Sequence, residues 1–176
     1  PMPTDPAVSR AAHQASLLAF VASARGVPDA AWEVPITTDK WSPAQIAEHL
    51  RMVYDVLGRQ LAGGPGLQVR TSWWLRLVLR LRFLPRILEH GRIPAGARAP
   101  REARPGPGPF PREPLLAELI ETATRAEEAL ASGAKDPDVA ITHHVFGRLK
   151  AVQALRFLTV HNDHHTRQLD RPRTGG

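Results

Sequence analysis

Trp41-Ser42-Pro43-Ala44-Gln45-Ile46-Ala47-Glu48-His49-Leu50 is the stretch whose reading decides the fold. Ser42 offers an acceptor to the free N–H groups of a helix start. Pro43 fits the first helical position, and Gln45 completes a capping box. The spacing predicts a helix that runs to about Ala62 and stops at Gly63-Gly64. Along it Ile46, His49, Leu50, Val53, Val56 and Leu57 share one face at helical periodicity. A histidine therefore sits among core-facing residues.

Other helices follow on both sides. Thr4-Asp5-Pro6 is a helix start, Leu17, Phe20, Val21 and Ala24 form its apolar stripe, and Gly26 closes it. A loop from Val27 to Trp41 contains Pro28 and Pro35. From Ser72 to Glu89 the pattern is ambiguous. Leu75, Leu77, Leu79, Leu81 and Phe83 alternate with Arg76, Val78, Arg80 and Arg82, which is strand-like. Leu and Arg favour helix and the run is long for a strand, so one helix is expected. Pro94 to Pro114 holds seven prolines, which no regular element survives, and reads as a long extended crossover. Leu115 to Ser132 is helical again, with Leu116, Leu119, Ile120, Ala123, Ala126 and Leu130 on one side. Asp136-Pro137-Asp138 is a turn. The last helix covers roughly Lys150 to Asp170, with Ala154, Phe157, Leu158, His161, His165 and Gln168 on one face. Asn162 and Asp163 fall off that face, towards surface interactions. With no convincing strand, the expectation is an all-α four-helix bundle with one extra or partial helix. It is a single domain over 1–170, with a disordered tail over 171–176.

Composition narrows the chemistry. The chain has 176 residues and no cysteine, so disulfides, thiolate metal sites and a Cys nucleophile are excluded. No apolar run reaches the ~18 residues of a membrane span, and the first residues lack the apolar core of a signal peptide. A cytoplasmic protein is expected. The net charge of +6 invites a nucleic-acid reading. Its distribution argues otherwise. Residues 70–112 hold ten Arg and two Glu, a net of +8, so the rest of the chain carries −2.

The histidines carry more information. Three lie in His161-Asn162-Asp163-His164-His165. His161 and His165 are one turn apart, so both rings can point to one place and chelate a divalent ion. His49 brings a third imidazole from another helix. Buried imidazoles need partners for both nitrogens, and a shared metal supplies one of them. Three protein ligands with an open position describe a catalytic or substrate-binding metal. His164 competes geometrically with His165, but lies on the flank of the stripe. Glu48 lies well round the helix from His49 and reads as a surface residue. Tyr54 reads as packing or a pocket residue.

The helix opening at Trp41 to Leu50 and the helix end Phe157 to Leu169, with its H-N-D-H-H-T-R-Q-L, resemble the DinB-like superfamily. That resemblance implies a four-helix bundle with a divalent metal on His49, His161 and His165. His143 to Phe157 is similar to the H-P-x-F-G-x-L-T-x-x-E-W-L-x-F stretch of one branch, as is the Pro-rich crossover. His144 stands where Pro is usual, Lys150 where a capping Thr is usual, and Ala154 where Trp is usual. The first two departures bear on the turn and the helix cap. The last implies space beside the helix that carries the pair. His164, Gln168, Tyr54 and His144 are the residues expected behind the ligands or lining a pocket, and no catalytic residue is identified.

The resemblance implies a metal-dependent hydrolase or a transferase using a low-molecular-weight thiol, acting on a small-molecule substrate. Zn or Ni is the expected ion, with Fe or Mn behind them. The alternative is a non-enzymatic basic protein that binds nucleic acid or a partner through the Arg-rich 70–112 segment. Trp73 to Leu84 could also attach to a membrane surface. Its Arg residues lie on two flanks, which instead suggests a core helix with snorkelling Arg stems, or half of a homodimer contact.

Overall fold

The computed structural model describes residues 5–65, 67, 72–94, 99–133 and 139–171. The capping box forms as the sequence predicts: Gln45 N–H donates to Ser42 Oγ, and Ser42 N–H to Gln45 Oε1, both at 3.1 Å. It opens helix α3, Pro43–Leu61. Before it come α1, Pro6–Gly26, capped by Asp5, and the short α2, Asp29–Trp32. After it come α4, Trp73–Arg82, and α5, Leu84–His90. A 3₁₀ turn over Arg101–Ala103 precedes α6, Arg112–Ser132. Strands β1, Ala140–His143, and β2, Gly147–Lys150, lead into α7, Ala151–Leu169.

The four long helices form the bundle. α1 packs along α7 and α3 along α6, with α6 touching both α1 and α7. Phe20, Leu50, Leu116, Leu119, Leu130, Ala154 and Leu155 are fully buried between them. The all-α architecture expected from the helix periods is therefore present.

Four local readings change. The expected helix over Ser72 to Glu89 is two helices, broken at Phe83. Pro85 has no N–H, and inside one continuous helix its ring would clash with the Leu81 carbonyl, so it sits at the start of α5 instead. α4 is not a core helix either, since it buries no residue. The Pro-rich crossover is not wholly irregular: it holds the 3₁₀ turn, and α6 begins at Arg112, with Pro114 tolerated in its first turn. Finally, residues 140–150 form an antiparallel hairpin, pairing Ala140 with Lys150 and His143 with Gly147. Gly147 has φ +69°, as the end of a three-residue hairpin loop requires, and a Cβ there would meet Arg76 Cδ at 2.9 Å. Thr4, the turn at 136–138 and most of the tail lie outside the described residues.

Candidate metal centre

α3 presents His49, and α7 presents His161 and His165, where the two helices face each other. One ring nitrogen from each lies within 4.8 Å of the other two. His161 Nε2 stands 3.3 Å from His49 Nε2 and 3.1 Å from His165 Nε2. Nitrogens bound at ~2.0–2.1 Å in a tetrahedral set stand about 3.3 Å apart. The spacing therefore suits an ion between them.

The outer nitrogens fix the tautomers. His49 Nδ1 lies 2.6 Å from the Ala103 carbonyl, which can only accept. His49 thus carries its proton on Nδ1 and turns a lone pair inward. His165 Nδ1 donates to Gln168 Oε1 at 2.8 Å, and Gln168 Nε2 donates to His164 Nε2 at 3.1 Å. His165 likewise turns a lone pair inward. His161 Nδ1 is buried and has no hydrogen-bond partner among the described residues. Converging lone pairs repel unless a proton or a cation lies between them, so the donor set fits a divalent ion.

Electrostatics agree. Burial pushes the His49 imidazole down to about 4, helped by nearby His164 and His144. Burial and then the neighbouring imidazoles push His161 and His165 well below the ordinary range. All three are neutral near pH 7, the state a metal ligand needs. Trp41 packs on His49 with ring centres 4.9 Å apart, and Phe157 stacks on His161 at 6.2 Å.

The other expected site residues are distributed unevenly. Gln168 holds His165, and His164 adjoins the centre, bonded by Gln168 and meeting the His165 ring edge-on at 5.1 Å. Glu48 is not a free surface carboxylate: Arg51 clamps both its oxygens at 2.7 Å. Tyr54 is fully buried away from the triad. Its hydroxyl lies 2.7 Å from His13 Nε2 and donates to Asn162 Oδ1 at 3.0 Å. Asn162 Nδ2 donates to Ser16 Oγ, and Glu127 accepts from His13 Nδ1, Arg10 and Gln14. Asn162 is thus an interior residue, contrary to the surface placement its helix angle suggests. His144 sits in the hairpin turn, its ring 4.5 Å from His143.

Two contributors escape sequence reasoning. The Ala103 carbonyl arrives from the Pro-rich crossover, and no residue letter announces a backbone acceptor. His143 accepts the Val145 and Phe146 N–H groups on Nδ1, at 3.1 and 3.3 Å, and meets Phe157 edge-on at 4.7 Å. It therefore links the hairpin to the aromatic wall beside His161. Ala154, where the resemblance implies space, is fully buried within the bundle.

The sequence matches the DinB superfamily over residues 11–169. The chain belongs to the DinB superfamily. No curated protein matches it, and no solved structure does. The triad of this DinB protein occupies the positions that the two histidine motifs single out, on the second and last long helices of its bundle.

Proposed function

We propose that this DinB-superfamily protein holds one divalent ion through His49, His161 and His165 and is a metal-dependent enzyme of the hydrolase or small-thiol S-transferase class. The observation that supports it is the convergence of three neutral imidazoles, with the outer nitrogens of His49 and His165 held by Ala103 and Gln168. Imidazole suits Zn or Ni, then Fe, with Mn the weaker fit. Three neutral ligands leave the ion its full charge, and such an ion supplies Lewis acidity that lowers the pKa of a water or thiol at a free position.

The chain's own residues set the conditions. Ala103 and Gln168 fix the ring orientations. Trp41 and Phe157 wall the centre with apolar surface. Glu48 is committed to Arg51, so it offers no base. With no cysteine in the chain, the thiol is a small cosubstrate.

Metal content after reconstitution with Zn²⁺ or Ni²⁺ tests the reading. About one ion per chain is expected, and His161→Ala should abolish it. Loading with Co²⁺ and titrating a small thiol separates the two chemistries. A near-ultraviolet sulfur-to-cobalt band supports thiol transfer, and a cobalt spectrum indifferent to thiol supports hydrolysis. A reconstituted chain without metal overturns both.

A further inference from the structure

α4 is the one α-helix described that buries no residue. At 100° per residue, Trp73, Leu77, Leu81, Trp74 and Val78 cover about 140° of its circumference. All five are exposed, Trp73 by 71% and Leu81 by 69%. Leu75 and Leu79, on the opposite side, are only half-buried. Scattered exposed apolar side chains are ordinary, but a continuous stripe of this size marks a contact surface.

Basic residues edge the stripe. Arg82 follows Val78 around one flank, and Arg80 and Arg76 lie on the other. The Arg80 guanidinium donates to the Phe146 and Arg148 carbonyls, which ties α4 to the hairpin and turns the apolar stripe outward. Arg82 and Arg86 are exposed. Over residues 73–90 the single acid is Glu89, at the far end of α5.

We propose that α4 docks this protein onto an anionic phospholipid surface, lying in the interface with its Trp and Leu side chains immersed and its arginines at the headgroups. Tryptophan, leucine and arginine in this arrangement match the physics of interfacial helices. The charge argues against the other occupants. A second copy set stripe to stripe would bring Arg82 and Arg86 against their own like, with no acid on either stripe. A nucleic acid would satisfy the arginines but leave Leu77, Val78 and Leu81 in water. The attachment is peripheral, since no helix among the described residues is long and apolar enough to cross a membrane. It is independent of the metal centre.

Vesicle flotation of the full chain tests this, with phosphatidylcholine alone and phosphatidylcholine mixed with phosphatidylserine. The chain should float with the anionic vesicles, release as salt rises, and show a blue shift of Trp73 and Trp74 fluorescence. Leu77→Asp with Leu81→Asp should abolish flotation while the melting temperature stays, because both side chains are exposed. Arg82→Gln with Arg86→Gln should weaken binding about 25-fold, about fivefold per charge. Four results would overturn the proposal. These are no flotation of the wild-type chain, equal binding to neutral vesicles, unchanged flotation of the Asp variant, or a solution dimer that the Asp variant dissociates.

Discussion

Gln168→Leu is the sharpest probe of the metal centre, because within the triad Gln168 bonds only the outer nitrogen of His165. Its Oε1 takes the His165 Nδ1 proton at 2.8 Å. Leucine has similar volume and no acceptor, so the variant leaves that buried N–H unpaired and lets the ring turn or change tautomer. Either change withdraws the Nε2 lone pair from the place where His49 and His161 converge. Loss of an outer partner of a metal-bound histidine costs about 10–100-fold in affinity, which is about 1.4–2.7 kcal/mol. Competition against a chromophoric chelator measures it directly on the apo chain. The control is His164→Ala. His164 accepts from the amide nitrogen of Gln168, which is half-buried and can take water instead, and it meets His165 only edge-on, without a hydrogen bond to its ring. That variant should stay within about threefold of wild type, about 0.6 kcal/mol. The reasoning is refuted if Gln168→Leu binds zinc as tightly as wild type, or if His164→Ala is the weaker binder.

Other outcomes follow from the same geometry. Tyr54→Phe removes the hydroxyl shared by His13 and Asn162 in the closed interior, and should cost about 2–4 kcal/mol by stranding both groups. A melting temperature lowered by roughly 5–15 °C with unchanged metal stoichiometry would place Tyr54 in the scaffold; lost metal binding with intact stability would contradict that. Acid should destabilise the apo protein. His49 and His143 are held neutral by burial, at about 4 and about 3, whereas unfolded they titrate near ~6.5. Their stability is complete above the unfolded value and is lost as pH falls from ~6.5 towards the folded values, about 2 kcal/mol each by pH 5. Urea titrations at stepped pH should show it, and stability flat between pH 7 and 5 would refute it. Lys150→Thr should stabilise. Lys150 occupies the cap of α7 with extended backbone, and Gln153 already accepts its N–H at 3.2 Å, but its ammonium cannot accept from the helix. A threonine hydroxyl there should add about 1 kcal/mol, seen as a melt raised by about 2–4 °C. An unchanged melt would refute the cap argument.

What the sequence made legible was local. The capping box at Ser42 and Gln45 lies within four residues, and the His161–His165 pair is a matter of one helical turn, so both could be read from spacing. The His49–Ala103 bond joins positions 54 apart through a backbone carbonyl, and a carbonyl has no letter. The hairpin escaped because four-residue strands give alternation too little length to register. The break at Phe83 was announced by Pro85 but overridden by the strong Leu and Arg pattern around it. Asn162 is the most instructive error. Assigning one buried face to the last helix presumes a helix that packs on one side and meets water on the other. α7 instead lies against α1 and α6 and borders α3, and its buried residues include Leu155, Thr159, Val160 and Asn162 as well as the stripe with Leu158 and His165. A helix packed on several sides has little polar face to give away. Any polar residue off the stripe must then find a partner inside, and Asn162 finds two, Tyr54 and Ser16. Helix angle decides which residues are neighbours, but the number of helices around it decides how many of those neighbours are dry.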